Sequence, residues 1–541
     1  MTKKLLGMWK TGDPFIWLAA GALATAVVMI AGLLVLICTQ ALGVFWPRSV
    51  AKVELVDGTQ IVGPIVAEEP LPDAEGLYAG KRRILVQVGN RDFFAADFRW
   101  VDKANVRAIS YPGELVTLER EEWGNFYGWL DALHVGSETV AKGSQQTWEA
   151  LRARLPAARR LAARIRRLER KQLGDVNQSI EEQRLLLRRL EYRGAPEAAR
   201  SEVLQTIGSL QAEYDRLHGE LEELRKQMEA EKLVLRAATG AVKELPVAYV
   251  VRAYRANTLS VPGKLRVYAS KLWEFVSGDP RESNTEGGVF PAIFGTVLMV
   301  LIMSVAVVPF GVLAALYLRE YARPGPWVRT VRIAVNNLAG VPSIVFGVFG
   351  LGFFVYFVGG TVDALFYPER LPSPTFGTGG ILWASLTLAL LTVPVVVVAT
   401  EESLAAVPRE LREGSYALGA TKYETMKNVV LPSALPGVLT GLILAMARGA
   451  GEVAPLMITG VVKLAPTLPV DSHWPFLHLE RKFMHLGFHI YDVGFQSPNV
   501  EGAKPMVYAT TLLLVGIVVV LNLAAIFLRA RVRRRLSTGV F

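Results

Sequence analysis

The segment EESLAAVPRELREGSYALGATKYETMKNVVLP, residues 401–432, lies between two apolar runs that are each long enough to cross a lipid bilayer. Seven charged side chains keep it out of lipid: Arg409, Glu410, Arg412, Glu413, Lys422, Glu424 and Lys427. Gly419 permits a reversal between two short helices, and Pro432 closes the segment. The pattern favours a loop that docks another protein, and a solvated helical hairpin that only joins two spans is the alternative.

The composition indicates a membrane protein with a substantial part outside the membrane. The chain has 541 residues, of which 51% are hydrophobic and 20% are charged. Its formal net charge is +10, but many basic residues flank apolar runs, where membrane topology explains them without nucleic acid. The single cysteine, Cys38, excludes both a disulfide framework and a thiolate zinc site.

Six apolar runs predict an α-helical polytopic protein with six transmembrane helices. They lie at roughly residues 15–42, 290–317, 331–358, 379–400, 434–461 and 507–528. The first run is longer than the apolar region of a cleaved signal peptide, and three lysines precede it: Lys3, Lys4 and Lys10. We therefore expect an uncleaved anchor whose N-terminus is cytoplasmic.

Basic residues predict which loops face the cytoplasm. They lie between the second and third runs, between the fourth and fifth, and after the sixth: Arg319, Arg323, Arg329 and Arg332, then Arg409, Arg412, Lys422 and Lys427, then Arg529, Arg531, Arg533, Arg534 and Arg535. The excess of Lys and Arg in cytoplasmic loops puts all three segments, and both termini, inside the cell. The segment 401–432 then faces the side where ATP is found.

The same topology divides the chain into three parts. Residues 1–44 hold the cytoplasmic N-terminus and the first span, residues 45–289 lie outside the membrane, and residues 290–541 form the membrane core. A stretch as long as the middle part is a folded domain rather than a loop. The sequence therefore predicts an inserted α+β domain.

Three kinds of pattern follow one another in this inserted domain. Residues 50–144 are β-rich, with alternating segments that end at turn signals such as Asp57-Gly58 and Gly89-Asn90. Residues 145–237 are rich in Leu, Arg and Glu and predict helices. Residues 245–275 are predicted to return the chain to the membrane as strands, at 247–251 and 265–268.

The helical part is predicted to be an antiparallel coiled-coil hairpin. Apolar residues alternate at spacings of three and four along its second arm: Ile207, Leu210, Tyr214, Leu217, Leu221, Leu224 and Met228. Arg193-Gly194-Ala195-Pro196 stops one helix and starts the next. The first arm is basic and the second is acidic, which favours pairing within the chain, although a homodimer seam would give the same periodicity.

Arg448 and Glu452 are the candidate site residues in the fifth predicted span. Four residues apart, they share one helical face, and each charge costs about 2.5–3.5 kcal/mol at the membrane centre. Such a pair faces a cavity or a partner. It is either a mutually neutralised structural ion pair, or Arg448 offers its guanidinium fork to a tetrahedral oxyanion while Glu452 orients it or repels unwanted anions.

Several motifs resemble the PstA-type permeases of phosphate-specific ABC importers. RGAGEVAPLMITG, at residues 448–460, is similar to the R-x-x-G-E-x-x-P segment of that family, with Val453 where Thr is common. Further similar segments are LREYARPG at 318–325, NNLAGVPSIVFGVFGLG at 336–352, FHIYD at 488–492 and QSPN at 496–499. The resemblance covers about residues 290–535, and the inserted domain has no counterpart in the usual short form.

The segment 401–432 resembles the EAA coupling loop of ABC importer permeases. Its motif positions are Glu413, Gly414, Ser415, Gly419, Val429, Leu431 and Pro432. Gly414 and Ser415 stand where the family pattern has two alanines, and the spacing is kept. The resemblance implies that these residues contact an ATPase subunit.

The resemblance also implies a fold, a function and partners. It implies the ABC type I importer permease fold, in a subunit that moves inorganic phosphate across the bacterial inner membrane after a periplasmic PstS-type protein delivers it. A PstC-type permease and a PstB-type ATPase dimer would complete the complex. The chain has no G-x-x-x-x-G-K-[ST] motif, so it is not predicted to be an enzyme, and ATP and magnesium would be bound by the partner ATPase.

Some questions stay open at this stage. Asn336 and Asn337, at the start of the third predicted span, either line the substrate path or pack helices. The substrate is phosphate only by resemblance, so sulfate or molybdate is an alternative, as is a membrane-anchored signalling or scaffold protein.

Four histidines lie in the last predicted external loop: His473, His478, His485 and His489. The last two are four residues apart, a spacing that can bind metal on a helix, but no HExxH pattern is present. Aromatic neighbours such as Trp474 and Phe488 favour an interfacial helix. We expect no metal here, and a contact surface for a binding protein or for the inserted domain.

Overall fold

A computed structural model describes residues 13–70, 82–93, 97–281, 284–497 and 500–537. The helices, in chain order, are α1 (Asp13–Gly43), α2 (Ser144–Arg167), α3 (Gly174–Tyr192), α4 (Glu197–Glu229), α5 (Val261–Ser277), α6 (Phe290–Leu316), α7 (Pro326–Leu338), α8 (Ser343–Phe366), α9 (Ile381–Ala405), α10 (Arg409–Ala417), α11 (Lys422–Gly451), α12 (Ala454–Thr459), α13 (Leu486–Tyr491) and α14 (Val500–Ser537). The three lysines that precede the first span lie outside the described residues.

Within the described residues, six helices are long and apolar enough to cross a membrane. They are Phe15–Gly43, Phe290–Tyr321, Ser343–Phe366, Ile381–Ala405, Lys422–Gly451 and Ala503–Arg534. The fourth of these, α9, is the most enclosed, because it packs against α6 on one side and α11 on the other. The six predicted spans are confirmed in number, and the third and fifth differ most from their predicted extents.

The third span begins later than the prediction of 331–358. Residues Pro326–Leu338 form a separate helix, α7, with no buried residue, and the span itself is Ser343–Phe366. The reason lies in the break between them, where Pro342 cannot continue a helix and Gly340 weakens one. The apolar residues of α7 share their turns with arginines and asparagines, which makes α7 amphipathic rather than membrane-spanning.

The fifth span ends earlier than the prediction of 434–461. Helix α11 stops at Gly451, Glu452 is extended with φ −79° and ψ 137°, and a short helix, α12, follows. Pro455 explains the interruption, because it has no N–H to donate to the carbonyl four residues back and its ring crowds that carbonyl. The candidate site residues therefore lie at the end of a helix rather than inside one.

The inserted domain contains two antiparallel sheets. Its strands are β1 (Val50–Leu55), β2 (Gln60–Pro70), β3 (Arg82–Gln87), β4 (Phe98–Asp102), β5 (Val106–Ser110), β6 (Val116–Arg120), β7 (Phe126–Val135), β8 (Glu138–Lys142), β9 (Glu231–Arg236), β10 (Val242–Pro246) and β11 (Val250–Tyr254). The first sheet has the order β4-β3-β2-β1-β5, and the second has the order β10-β9-β7-β6-β11, with β8 also pairing β7. A two-residue pair, β12 (Pro280–Arg281) with β13 (Glu286–Gly287), precedes α6.

Two predictions for the inserted domain are wrong. Residues Glu231–Arg236, which the sequence assigned to the hairpin, form strand β9 in the interior of the second sheet. Residues 265–268, predicted as a return strand, lie in helix α5, Val261–Ser277. Pro262 in the first turn and apolar residues spaced by three and four favour that helix, and a short apolar run cannot by itself distinguish strand from helix.

The helical hairpin forms within one chain. Helix α4 runs antiparallel to α2 and α3, since the ion pair of Arg154 with Glu231 lies near the base and that of Arg164 with Glu220 lies further along both arms. The arms pack through a separate apolar cluster that includes Ile165, Ile180, Leu217, Leu221 and Leu224. The chain reverses at Gly194, whose φ is +64°, at the position that the sequence predicts.

A cluster of buried charges joins the second sheet to α5. Glu119 on β6 pairs with Arg252 on β11 and with Lys271 on α5, the latter at 2.6 Å. Glu274 on α5 in turn contacts Arg252 at 2.8 Å. Burial would raise the pKa of Glu119, but Lys271 and Arg252 outweigh that effect and lower the pKa from 4.5 to about 2. Glu119 is therefore charged at neutral pH, and its charge is compensated.

This cluster predicts how the stability of the inserted domain depends on pH. A carboxyl whose pKa falls from 4.5 to about 2 on folding adds roughly 3 kcal/mol to the free energy of unfolding. This contribution is fully present above pH 4.5 and is lost as the pH falls towards 2. We expect Glu119→Gln to reduce stability at pH 7 by about 3–5 kcal/mol, because two cations lose their partner, and to flatten the pH dependence in that window. Hydrogen exchange of the domain in the full chain measures both effects.

The matched control is Glu54→Gln, because Glu54 makes an exposed ion pair with Lys52 at 2.9 Å. We expect little change in hydrogen exchange for that variant, since water screens an ion pair that it can reach. Equal effects of the two substitutions, or an unchanged pH profile in Glu119→Gln, would contradict the role assigned to the buried cluster.

Candidate coupling loop and substrate path

The segment 401–432 folds into two short helices that project from the bundle. Helix α10 ends in a turn where Gly419 has φ +85°, and α11 begins after Thr421. Thr421 and Glu424 form a capping box, in which each side chain accepts a hydrogen bond from the other residue's backbone N–H. An added Cβ at Gly419 would meet no atom within 4 Å, so the backbone conformation, rather than space, favours glycine there.

The motif residues of this loop are divided between its surface and its base. Glu413, Gly414 and Gly419 are exposed, whereas Leu431 and Pro432 are half-buried within α11. Ser415 is half-buried, and its hydroxyl lies 2.9 Å from that of the buried Thr425. Apolar side chains also face outwards, and the largest exposed ones are Leu411, Tyr416, Leu418 and Tyr423. An exposed surface of this composition is suited to docking a partner.

Contacts at its base tie the loop to the end of the second span. Arg412 on α10 lies 3.0 Å from the Glu320 carboxylate and donates to the Leu404 carbonyl at 2.7 Å. Lys422 donates to the backbone carbonyl of Glu320. Beneath these polar contacts, a buried apolar cluster joins the loop to α6 and α9: Ala315, Leu318, Val397, Leu404, Val407, Met426, Val430 and Ala434. The loop is therefore packed directly against two spans.

Arg448 and Glu452 remain close although the helix between them ends. The Arg448 Nε lies 3.6 Å from the Glu452 Oε1, and the two side chains are 33% and 22% exposed. The rest of this chain therefore covers each side chain only in part, and some of its surface stays accessible. The sequence predicted one helical face for the pair, whereas the structure holds Arg448 in the last turn of α11 and Glu452 in extended backbone after it.

Small residues let α11 pack closely against two spans. Gly441 lies against Ala399 of α9, and Gly449 lies against Met303 of α6, each so closely that a Cβ would clash. The accessible face of α11 is the side beside these contacts that carries Leu444, which is exposed, and Arg448, which is half-buried. The arrangement leaves that accessible face available to a second subunit or to a path between subunits.

Asn336 and Asn337 do not lie in a membrane span. Both are exposed on α7, the amphipathic helix that precedes the third span, so the prediction that they start that span is wrong. Among the described residues, no hydrogen bond joins either asparagine to Arg448 or Glu452. The structure therefore does not bring the four predicted path residues together.

The four histidines of the last loop have two different environments. His473 and His478 have acidic neighbours: His473 is half-buried beside Asp471, and His478 is buried and contacts Asp471 at 3.0 Å and Glu480 at 3.3 Å. His485 and His489 are buried beside α6 and α14, so the predicted interfacial helix is in fact an internal one. Burial lowers the pKa of His485 to about 3 and that of His489 to about 4, so both are neutral. Within the described residues, no group of acids, histidines and cysteines could hold a metal ion.

The helical hairpin touches two loops of the membrane core. Arg189 on α3 pairs with Glu369, which is almost fully buried in the loop between the third and fourth spans. Asp175, also on α3, lies 3.8 Å from His473 in the loop after the fifth span. The sequence could not indicate these contacts, because each joins residues that are more than 150 positions apart. They place the hairpin over the end of the bundle opposite to the coupling loop.

Comparison with known proteins identifies the membrane core. Residues 307–538 match the family described as "Binding-protein-dependent transport system inner membrane component". The chain is 35% identical over 253 residues to the phosphate transport system permease protein PstA 1 of Mycobacterium tuberculosis, covering 46% of this chain and 73% of that protein. It is 30% identical over 261 residues to the probable ABC transporter permease protein YqgH of Bacillus subtilis, covering 48% and 78%.

A third relative is aligned over a shorter part. The phosphate transport system permease protein PstA of Mycobacterium leprae is 39% identical over 172 residues, covering 32% of this chain and 51% of that protein. The chain thus spans about half the length of this relative and about three quarters of the other two. With six helices that can cross a membrane and identities of 30% or more over most of two relatives, the chain belongs to the family of binding-protein-dependent transport system inner membrane components.

Proposed function

We propose that this chain is the permease subunit of an ABC importer that moves inorganic phosphate across the bacterial inner membrane. The observation that carries the proposal is the Arg448–Glu452 pair, held partly open on the accessible face of the fifth span. A guanidinium group offers parallel N–H donors that match a tetrahedral oxyanion. Relatives named as phosphate transport permeases support phosphate as that oxyanion.

The orientation in the membrane follows from the alternation of the spans. The inserted domain connects the end of α1 to the start of α6, so it lies on one side, and the coupling loop between α9 and α11 lies on the other. Arginines are frequent on the coupling-loop side, for example Arg319, Arg323 and Arg329, which favours the cytoplasm. The inserted domain is then periplasmic, and both termini are cytoplasmic.

Three kinds of partner follow from this assignment. A PstC-type permease would cover the accessible face of α11 and complete the path beside Arg448. A PstB-type ATPase dimer would bind the exposed coupling loop, where Glu413, Gly414 and Ser415 lie next to outward-facing apolar side chains. A PstS-type binding protein would deliver phosphate at the opposite end of the bundle, where the hairpin lies.

The mechanism that fits these positions is alternating access. ATP closes the partner ATPases, and the coupling loop moves with them. Because the loop is fixed to Glu320 and to the apolar cluster at its base, α6 and α9 move as well. The path beside Arg448 opens towards the periplasm, the guanidinium attracts the anion, and Glu452 limits how strongly it is held. This chain supplies the path and the mechanical connection, and the partner hydrolyses ATP.

The path residue can be tested by substitution. We expect Arg448→Gln to abolish uptake of radiolabelled phosphate in cells, because a neutral amide cannot compensate an oxyanion inside the membrane. Assembly with the partner subunits, followed by co-purification, should be unchanged, since Arg448 is not among the buried residues of α11. The control is Leu444→Ala on the same face, which should retain most uptake. Normal phosphate uptake in Arg448→Gln would refute the role of Arg448.

The coupling turn can be tested at Gly419. A β-branched residue in the left-handed conformation costs roughly 1–2 kcal/mol, so we expect Gly419→Val to weaken ATP-dependent transport and co-purification of the ATPase. Asparagine tolerates that conformation, and Gly419→Asn is therefore the matched control that should stay close to wild type. Full activity of Gly419→Val would show that this turn does not couple the ATPase to the spans.

The finer architecture of the inserted domain is also part of the proposal. We assign the hairpin as an antiparallel periplasmic coiled coil whose seam is the cluster around Leu217, Leu221 and Leu224. Its regular apolar spacing and the ion pair of Arg225 with Glu169 at 2.7 Å, which crosses between the arms, support this assignment. The two contacts to the outer loops hold it over the face where the binding protein would arrive.

Shortening the hairpin tests whether it is separate from the permease fold. Removal of residues 178–212 takes away the outer parts of both arms and the Arg189–Glu369 contact, but leaves α2 and strand β9 in the domain core. We expect the shortened chain to assemble with its partners, because the hairpin cluster shares no residue with the clusters of the bundle. Co-purification measures this, and loss of the complex would mean that the hairpin is a structural part of the permease.

A further inference from the structure

Helix α5 has an exposed apolar face along its whole length. Val261, Leu265, Leu272, Trp273 and Val276 are between 37% and 72% exposed. At 100° per residue, these side chains cover one continuous sector of the helix surface. A helix on the surface of a water-soluble domain presents the opposite pattern, with its apolar side turned to the core.

The polar side of α5 faces the protein. Lys271 lies 2.6 Å from Glu119 on strand β6 and donates to the Tyr254 hydroxyl at 3.0 Å. Glu274 pairs with Arg252 at 2.8 Å and with Arg281 on the segment that follows the helix. The charges of α5 are thus directed towards the inserted domain, and its apolar side chains are directed away from it. Such a helix is stable only if the apolar face is covered by something other than water.

Aromatic contacts fix the position of α5 along the direction of the spans. Phe45, just after α1, packs against Tyr268 and Phe275, with ring centroids 6.3 Å and 5.2 Å apart. At the other end, the Val289 amide, one residue before α6, donates to the Phe275 carbonyl at 2.8 Å. Helix α5 therefore lies where the first span leaves the bilayer and the second enters it.

We propose that α5 is an interfacial helix, whose apolar face is inserted into the bilayer leaflet on the side of the inserted domain. The face is continuous with two helices that cross the same bilayer, which is the reason to assign lipid as its occupant rather than a protein. Trp46, Tyr268 and Trp273 supply the aromatic rings that are enriched at this level of membrane proteins. Lys264, at one edge of the apolar sector, is placed to meet anionic head groups.

The consequence is a second attachment of the inserted domain to the membrane. The apolar face of α5 contacts lipid, and its opposite face is joined to the second sheet through the buried cluster around Glu119. The sheet continues into α2 and the hairpin. The bilayer surface thus sets the height of the hairpin above the outer loops. This inference depends on the six spans and not on the identity of the transported anion.

Spin labels at two positions of α5 test the proposal. The full chain, with Cys38→Ala as background and with the subunits that co-purify with it, carries a nitroxide at Leu265→Cys or at Arg266→Cys. It is reconstituted into bilayers of phosphatidylethanolamine and phosphatidylglycerol. Molecular oxygen concentrates in lipid, whereas a neutral nickel chelate stays in water. Their relative effects on the saturation of the electron paramagnetic resonance signal of each label show whether the label lies in lipid or in water. Arg266 is the matched control, being exposed on the polar side.

We expect oxygen to relax the Leu265 label several-fold more than the nickel chelate does, and the order to be reversed for the Arg266 label. A label at Val276→Cys should behave as Leu265 does, which guards against a local disturbance at one site. A Leu265 label that is relaxed mainly by nickel would show that this face meets water and would overturn the proposal. A Leu265 label that is shielded from both reagents would also overturn it, because a protein partner would then cover the face.

Discussion

In hydrocarbon, backbone N–H and C=O groups can form hydrogen bonds only within a regular helix, so the chain cannot turn back inside the membrane. Each spanning helix therefore carries the chain to the other side. This constraint determines which parts of the chain can meet. The inserted domain and the outer loops share one side, where Arg189 pairs with Glu369. The coupling loop and the end of the second span share the other side, where Arg412 pairs with Glu320. No local propensity could bring these residues together without the alternation of the spans.

The second span, α6, connects the two sides. At its start, Val289 and Ala292 pack in the apolar cluster that also holds Phe45 and Phe275. At its end, Ala315 and the segment that follows pack beneath the coupling loop. Its middle is buried against α9, where Gly311 lies so close to Val396 that a side chain would not fit. A single helix therefore contacts both the base of the inserted domain and the segment 401–432, which is the connection that the proposed alternating access requires.

Buried charge is used differently on the two sides of this connection. In the inserted domain, Glu119 is enclosed and fully compensated by Arg252 and Lys271, so it stabilises the attachment of α5. In the fifth span, Arg448 and Glu452 are 3.6 Å apart and remain partly accessible. A buried cluster whose charges are compensated holds elements together. In a partly accessible pair, by contrast, Arg448 can bind an anion in place of Glu452. The contrast supports a structural role for the first and a transport role for the second.

Much of the fold follows from patterns in the sequence, and the exceptions have physical reasons. Long apolar runs predict the number of spans, and Gly194 and Gly419 mark the two reversals at which each has a positive φ. Boundaries were harder, because Pro342 and Pro455 interrupt runs whose hydropathy continues past them. Helix α5 differs from the predicted strand because the short apolar run at 265–268 fits either a strand or a helix.

The candidate site was predictable only in part. Arg448 and Glu452 could be found, since charges in an apolar run are costly and stand out. Asn336 and Asn337 were grouped with them by proximity to an apolar run, and the amphipathic helix α7 separates them from the spans. Ion pairs such as Arg412 with Glu320 join distant parts of the chain and leave no local signal.

Uptake of radiolabelled phosphate, in cells that lack the gene, tests most directly whether this chain is a phosphate permease. Sulfate and molybdate serve as parallel labels at the same low external concentration. We expect that phosphate uptake alone falls, and that the intact chain restores it. Unchanged uptake of phosphate, in cells shown to have no second phosphate importer, would refute phosphate transport by this chain, and an equal loss of all three anions would refute its selectivity for phosphate.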